Sequence, residues 1–380
     1  MPTTTVEHIR RALEQAYPPH LAESWDAVGL ICGDPEAPVR KVAFALDCTL
    51  EVAEAAVACG ADMLVVHHPL LLRGVTSVAA DTPKGRVIHT LIRAGVALFA
   101  AHTNADSARP GVNDRLAELV GISSGRPIMP KLDSLEKWGV QVPKQQAEAL
   151  KRGLFDAGGG SIGNYKECAF SVEGRGEFTP LEQADPTIGQ QGRHEEVAEV
   201  RVEFVAEPKR RNAILAALRD AHPYEEPAFD VVAMEPTEDL DTAFGLGRVG
   251  ELPQPMRFAD FVQQVADALP ETAWGVRAAG DPDAMVHRIA VSSGSGDGFL
   301  SAAAKLGVDV YVTSDLRHHP VDEHLRAGGP FVVDTAHWAS EFPWTSQASE
   351  VVAQACPEVE VEVLGIRTDP WTISAHPRVQ

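Results

Sequence analysis

The chain is poor in cysteine, in basic residues and in long apolar runs. Its five cysteines, Cys32, Cys48, Cys59, Cys168 and Cys356, are odd in number, scattered and never spaced as Cys-x-x-Cys. That pattern argues against a disulfide framework and a thiolate zinc site, and it fits a reducing cytoplasm. Lysine and arginine total 33 against 54 aspartates and glutamates, a formal charge of −21. Nucleic acid is therefore not an expected partner, because phosphate contacts need clustered Lys and Arg. No stretch approaches the roughly 18 apolar residues of a membrane helix. Residues 1–23 alternate charged and apolar positions and lack the apolar core of a signal peptide. A soluble cytoplasmic globular protein with no membrane partner is the expectation. What is present is ample: 380 residues, 44% of them hydrophobic, enough for two or three domains with real cores.

Strand and helix patterns alternate at the two ends of the chain. Residues 6–16 carry helical periodicity, 41–47 read as a strand, 50–59 as a helix, 61–66 as a strand, 84–94 as a helix and 96–101 as a strand. The rhythm returns late, with strands at 288–292, 308–313 and 331–335 and helices at 299–306 and 321–326. Short apolar strands separated by helices indicate mostly parallel sheets covered by helices. The middle differs. Strands near 138–142, 167–173, 196–205 and 227–234, with helices near 145–157 and 208–221, follow the order βαβ then βαβ of a ferredoxin-like split unit. The division read from this is a core first half at 1–131, an inserted α+β domain at 132–237 and a core second half at 238–380, so that the α/β core is discontinuous.

Chemistry concentrates at strand ends. The apolar run 61–66 closes on His67 and His68, and Phe331-Val332-Val333-Asp334-Thr335-Ala336 is followed by His337 and, four residues on, Glu341. Neighbouring residues on a strand point to opposite faces, so His67 and His68 suit two ions better than one. His337 and Glu341 share one helix face, where the carboxylate can bridge both ions. Strand ends of parallel sheets open onto the crevice where ligands bind. Two further ends, 102–106 and 315–319, carry His and Asp as well. Imidazoles and carboxylates without thiolate fit Zn, Mn, Fe or Co. Two such ions about 3.5–4 Å apart activate water and clamp a polar substrate.

Three motifs remain open at this point. By residue type His318-His319-Pro320 rivals His67-His68-Pro69, although the adjacent Arg317 disfavours a dication there. Gly294-Ser295-Gly296-Asp297-Gly298 follows a strand and precedes a helix, so its amides could cradle a phosphate, or it is a plain turn. His222-Pro223-Tyr224-Glu225-Glu226-Pro227 is either a site or a Pro-bounded connection.

Together these pieces resemble the NIF-three-like family of dinuclear-metal proteins, whose bacterial members are called GTP cyclohydrolase I type 2 homologues. The resemblance covers nearly the whole chain. It rests on Ala22-Glu23-Ser24-Trp25-Asp26-Ala27-Val28-Gly29-Leu30, Val66-His67-His68-Pro69, His102-Thr103-Asn104-Ala105-Asp106, Gly111-Val112-Asn113-Asp114, Val312-Thr313-Ser314-Asp315 and Asp334-Thr335-Ala336-His337-Trp338-Ala339-Ser340-Glu341. The middle looks like the PII/CutA-like insertion of the longer members, through Gly163-Asn164-Tyr165 and His222-Pro223-Tyr224-Glu225-Glu226-Pro227. The resemblance implies a ligand set of His67, His68, Asp106, His337 and Glu341 for two divalent ions per subunit (Zn, Fe, Mn or Co), with His102 as a substrate or proton-transfer residue. It implies a toroidal homohexamer with the metal sites facing an internal cavity and the insertions capping its ends. The reaction implied is attack of water on C8 of the guanine ring of GTP, with ring opening and release of formate. A non-catalytic regulatory hexamer, whose insertion senses a small molecule, is the alternative. The chain departs from the family pattern at Ala27, where Asn is usual, at Ser314, where Gly is common, and at His318; none of these is in the ligand set.

Overall fold

Strands Lys41–Ala45, Met63–Val66 and Ala97–Ala100 lie side by side and parallel. Every residue of the latter two is buried, as expected for strands covered on both faces. Alternate side chains feed two different cores. Val42, Phe44, Met63, Val65 and Phe99 pack against Val6, Ile9 and Leu13 of helix Val6–Ala16 and against Trp344, Ala348 and Val352 of helix Trp344–Ala355. Ala43, Leu64, Val66 and Leu98 pack against helices Leu50–Ala58 and Pro83–Ala94 on the other face. Both of these helices start at a threonine whose hydroxyl accepts from the first turn: Thr49 from the Val52 amide at 3.2 Å and Thr82 from the Gly85 amide at 3.1 Å. Two outer strands absent from the sequence reading complete the sheet, Glu360–Val363 parallel at one edge and Gly29–Cys32 antiparallel at the other.

A second five-stranded sheet has Met285–Ser295, Val310–Ser314 and Phe331–Thr335 parallel at its centre. Antiparallel strands Arg248–Arg257 and Val276–Ala279 flank them. A two-stranded pair joins Met129–Lys131 to Phe244–Leu246. The computed structural model describes residues 4–132, 134–236 and 239–375. The chain divides into two units, Met1–Lys131 with Asp239–Gln380, and Leu132–Glu238. All three sheets above belong to the first.

The second unit is a four-stranded antiparallel sheet in the order Ala169–Phe178, Glu195–Ala206, Glu136–Pro143, Phe229–Ala233. Helices Ala147–Asp156 and Arg211–Ala221 connect these strands as βαβ followed by βαβ, the split arrangement. Trp138, Val140, Leu150, Leu154, Phe204, Ile214 and Leu218 form its own core. Within the motif at 222–227, His222 has a structural role. His222 is buried, its Nε2 donates to the Gln141 carbonyl at 2.8 Å and its Nδ1 accepts from the Tyr224 amide at 3.1 Å. Burial lowers its pKa, and both ring nitrogens are spent on holding the connection.

Candidate metal centre

The C-terminal ends of the parallel strands deliver titratable side chains to one place within the first unit. After Ala45 comes Asp47, after Val66 come His67 and His68, and after Ala100 comes His102 at the start of helix Thr103–Ser107. From the second sheet come Asp315 after Ser314, and His337 with Glu341 on helix His337–Glu341 after Thr335. Three groups result, each with ligand atoms within 4.8 Å of one another: His67, His68 and His102; His68, His337 and Glu341; His67, Asp106 and Glu341.

Each ring is held by one nitrogen. The amides of His67 and His68 both donate to the Leu46 carbonyl, at 3.1 and 2.9 Å, which ends the strand, and the two rings lie with centroids 5.1 Å apart, tilted by 49°. His67 is fully buried and its Nδ1 donates to the Ala101 carbonyl at 2.8 Å, so Nε2 carries the free lone pair and has no partner among the described residues. His68 Nδ1 lies 2.7 Å from Asp47 Oδ1, and His337 Nδ1 lies 2.7 Å from Asp315 Oδ2. His102 Nδ1 lies 2.9 Å from Asp26 Oδ1. Carboxylates and carbonyls on Nδ1 fix each ring and leave Nε2 facing the cluster, the arrangement found behind metal-ligating histidines.

Glu341 divides its oxygens. Oε1 faces His67 Nε2 at 3.8 Å, while Oε2 lies 2.9 Å from His68 Nε2 and 3.1 Å from His337 Nε2 without hydrogen-bond alignment to either. Asp106 Oδ1 stands 3.7 Å from His67 Nε2 and accepts from the Ser293 hydroxyl at 3.1 Å. Burial alone would push the Glu341 carboxyl up; the charges of His337 and His68 outweigh it and hold it well below the usual range. Burial likewise pushes His68 down, yet Glu341 and Asp47 carry it up to about 10, and Glu341 with Asp315 carries His337 to about 11. Asp106 is raised, chiefly by burial. Glu341 and the imidazoles of His68 and His337 thus hold one another in their charged forms, with the carboxylate at the centre of the cluster.

The surrounding backbone is shaped to this carboxylate. Gly294 has φ +60°, and a Cβ there would stand 2.2 Å from Glu341 Oε1. Asp315 takes φ +58°, a left-handed conformation that Asp tolerates better than most residues, and so reaches His337. In the segment 294–298 two amides are already used, which favours the plain turn: the Gly294 amide donates to Ser340 Oγ at 3.0 Å and the Gly296 amide to the Ser314 carbonyl at 3.4 Å. His318 and His319 are exposed at the start of helix His318–Arg326 and belong to none of the three groups. The sequence reading assigned no role to Asp26, Asp47, Asp315 or Ser293. Asp26 and Asp315 stand inside motifs quoted above, and Asp47 ends a strand, which was the available signal.

Known proteins resemble this chain along nearly all of it. A Mycobacterium tuberculosis protein named GTP cyclohydrolase 1 type 2 homolog is 51% identical over 364 residues, 95% of each chain. A Bacillus subtilis protein of the same name is 39% identical over 88% of each. The crystal structure of a Bacillus cereus protein related to NIF3 matches with a TM-score of 0.66 at 34% identity, covering 98% of this chain and 100% of that one. The chain belongs to the Duf34/NIF3 (NGG1p interacting factor 3) family, which it matches over residues 4–370.

Proposed function

We propose that His67, His68, Asp106, His337 and Glu341 hold two divalent cations and that the protein is a metal-dependent hydrolase. The observation that carries this reading is Glu341, whose two oxygens face different histidine sets, Oε1 toward His67 and Oε2 toward His68 and His337. The donor set fits: His67 Nε2 is a buried lone pair without a partner, and Glu341 is a buried carboxylate. All-nitrogen and oxygen ligands suit Zn, Fe, Mn or Co. Bound there, a pair of such ions supplies an activated water near neutral pH.

The chain's own groups do the rest. Asp47 and Asp315 hold the rings of His68 and His337 in register, and Ser293 with Asn113 holds Asp106; Asn113 accepts from the Ser293 amide at 2.8 Å and donates to the Asp106 carbonyl at 2.9 Å. His102, oriented by Asp26, presents Nε2 as the group that takes and returns a proton at the substrate. The reaction class follows the name of the relatives: hydrolytic opening of the imidazole ring of a guanine nucleotide, one water adding at C8 as a C–N bond breaks and a second freeing that carbon as formate.

Two experiments bear on this reading. Glu341→Ala should reduce bound metal from two ions to at most one per chain by elemental analysis; two tightly held ions in this variant would remove the bridging role. Metal-loaded protein given GTP should release formate above a His67→Ala control, and equal rates would end the cyclohydrolase reading. Six copies assembling as a ring would give a mass six times 40.7 kDa by light scattering.

A second reading is a metal-binding regulatory hexamer in which the unit at Leu132–Glu238, a PII/CutA-like module, senses a small molecule. Its separate core and split topology favour it. Absence of exchangeable water on the bound ions would support it over catalysis.

A further inference from the structure

Tyr224, Glu225 and Glu226 of the 222–227 motif line a cavity of about 520 Å³ within the unit Leu132–Glu238, and none of the metal-ligating residues lines it. We propose that this cavity binds a small organic cation, an ammonium or guanidinium on a short aliphatic chain, with Glu199 as its counter-ion. The site stands without the hydrolase reading, and it gives a chemical class to the ligand that the regulatory reading leaves open.

A long connection builds the cavity. Phe178 and Glu195 are cross-strand partners, so residues 179–194 close a hairpin that roughly two to five residues would close. The extra length is folded on itself. The Gly192 amide donates to the Pro180 carbonyl at 2.7 Å, and the Gln191 side-chain amide to the Ala184 carbonyl at 2.8 Å. The Asp185 amide donates to Glu225 Oε2 at 3.0 Å and ties the loop across to the 222–227 motif. Pro180, Pro186 and Ile188 supply an apolar wall. The volume falls within the range of small-molecule pockets, roughly 300–1,000 Å³.

Charge sets the sign of the ligand. Glu177, Glu199, Glu225 and Glu226 line the cavity against one cation, Arg175, which is paired with Glu196 at 2.7 Å. Glu199 lies on strand Glu195–Ala206 and is only 8% exposed. Its Oε1 accepts from the Tyr224 hydroxyl at 2.7 Å. Its Oε2 has no hydrogen-bond partner among the described residues and is not sealed in the interior. Gly176 leaves room for that oxygen, since a Cβ there would stand 2.3 Å from it. Arg201, two positions along the strand, is held by Glu203 at 2.9 Å and Asp230 at 2.7 Å. A nearly buried carboxylate with one neutral partner is stabilised by a cation that reaches it.

The walls set the kind of cation. Among the described residues no three of these carboxylates form a group with ligand atoms within 4.8 Å of one another, as a metal ion would need. Phe178 and Tyr224 also line the cavity, with ring centroids 5.6 Å apart and planes at 64°. Aromatic rings attract ammonium and guanidinium groups, and the prolines and isoleucine cover methylenes. Polyanions meet like charge at close range.

The probe is agmatine, a guanidinium and an ammonium joined by a short chain, titrated calorimetrically at low salt into full-length, metal-loaded protein. It should bind saturably, once per chain, whereas butylurea (neutral) and glutamate (anionic) should not bind. Glu199→Gln should weaken agmatine on the order of tenfold or more. Glu226→Gln, at an exposed position, should weaken it about two- to threefold. Hydrogen exchange gives the location: agmatine should slow amides in 179–194 and 222–226 and leave the strands Met63–Val66 and Val310–Ser314 unchanged. No saturable binding, equal affinities in the parent and Glu199→Gln, or butylurea bound as tightly as agmatine would each overturn the proposal. So would protection at the metal-centre strands in place of the loop, or displacement of agmatine by an equal concentration of magnesium ions. Should Glu199→Gln fail to fold, Glu226→Gln and the exchange map decide. None of these readouts involves turnover, so failure of the hydrolase reading is distinguishable from failure of this site.

Discussion

Replacing Gly294 by Ala probes the cluster without touching a ligand. The new Cβ would stand 2.2 Å from Glu341 Oε1 and 3.3 Å from His337 Nε2, where ordinary contact begins near 3.4 Å, so the carboxylate must retreat by 3.4 − 2.2 = 1.2 Å. Metal–ligand distances tolerate about 0.2 Å. Two separable costs follow. The left-handed backbone, φ +60°, costs an L-residue roughly 1–2 kcal/mol, and this appears in urea unfolding of the metal-free protein. Displacing Glu341 should cost at least what losing an outer partner of a ligand costs, about 10–100-fold in metal affinity, which is about 1.4–2.7 kcal/mol. Chelator competition with elemental analysis reads the second cost. Gly298→Ala is the control, since nothing lies within 4 Å of a Cβ there, and it should be silent in both assays. Gly294→Ala protein that keeps two ions with the affinity of the parent would refute the placement of Glu341 between them.

Asp47→Asn should keep the contact to His68 Nδ1 but lose its charge, weakening one ion by about 10–100-fold while leaving the fold intact; equal affinities would mean that Asp47 does not support the ligand. In the second unit, His222 is depressed by burial from the usual value of 6.5. A histidine lowered in the folded state adds stability that is complete above the unfolded value and is lost as pH falls through it. The urea midpoint should therefore drop between about pH 7.5 and 5.5, and less in His222→Gln; identical pH dependence in both proteins would contradict this.

The strands of the first sheet were legible because their residues alternate between two apolar surfaces. Phe44, Met63 and Val65 face one helix layer and Leu64 and Val66 the other, which leaves near-continuous apolar runs in the text. Edge strands were not. Gly29–Cys32 is short, and Glu360–Val363 alternates Glu with Val, so each reads as loop until a neighbour supplies its hydrogen bonds. The turn at 294–298 was read as possible phosphate chemistry because glycine spacing does not reveal whether an amide already has an acceptor; Ser340 and the Ser314 carbonyl had claimed two of them.

Sequence alone determined which side-chain types stand ready, imidazole and carboxylate without thiolate, and their position at the ends of apolar strands, since both depend on local composition and period. Family resemblance added Asp106, which no spacing rule would have selected. Tertiary structure decided which groups meet. His68 and His337 are 269 positions apart yet their Nε2 atoms lie 3.4 Å from each other. It also decided that Asp26, Asp47 and Asp315 hold the rings and that Gly294 makes room for Glu341. Those roles arise from side chains brought together across two sheets, and a periodicity along one strand contains no record of what stands opposite its end.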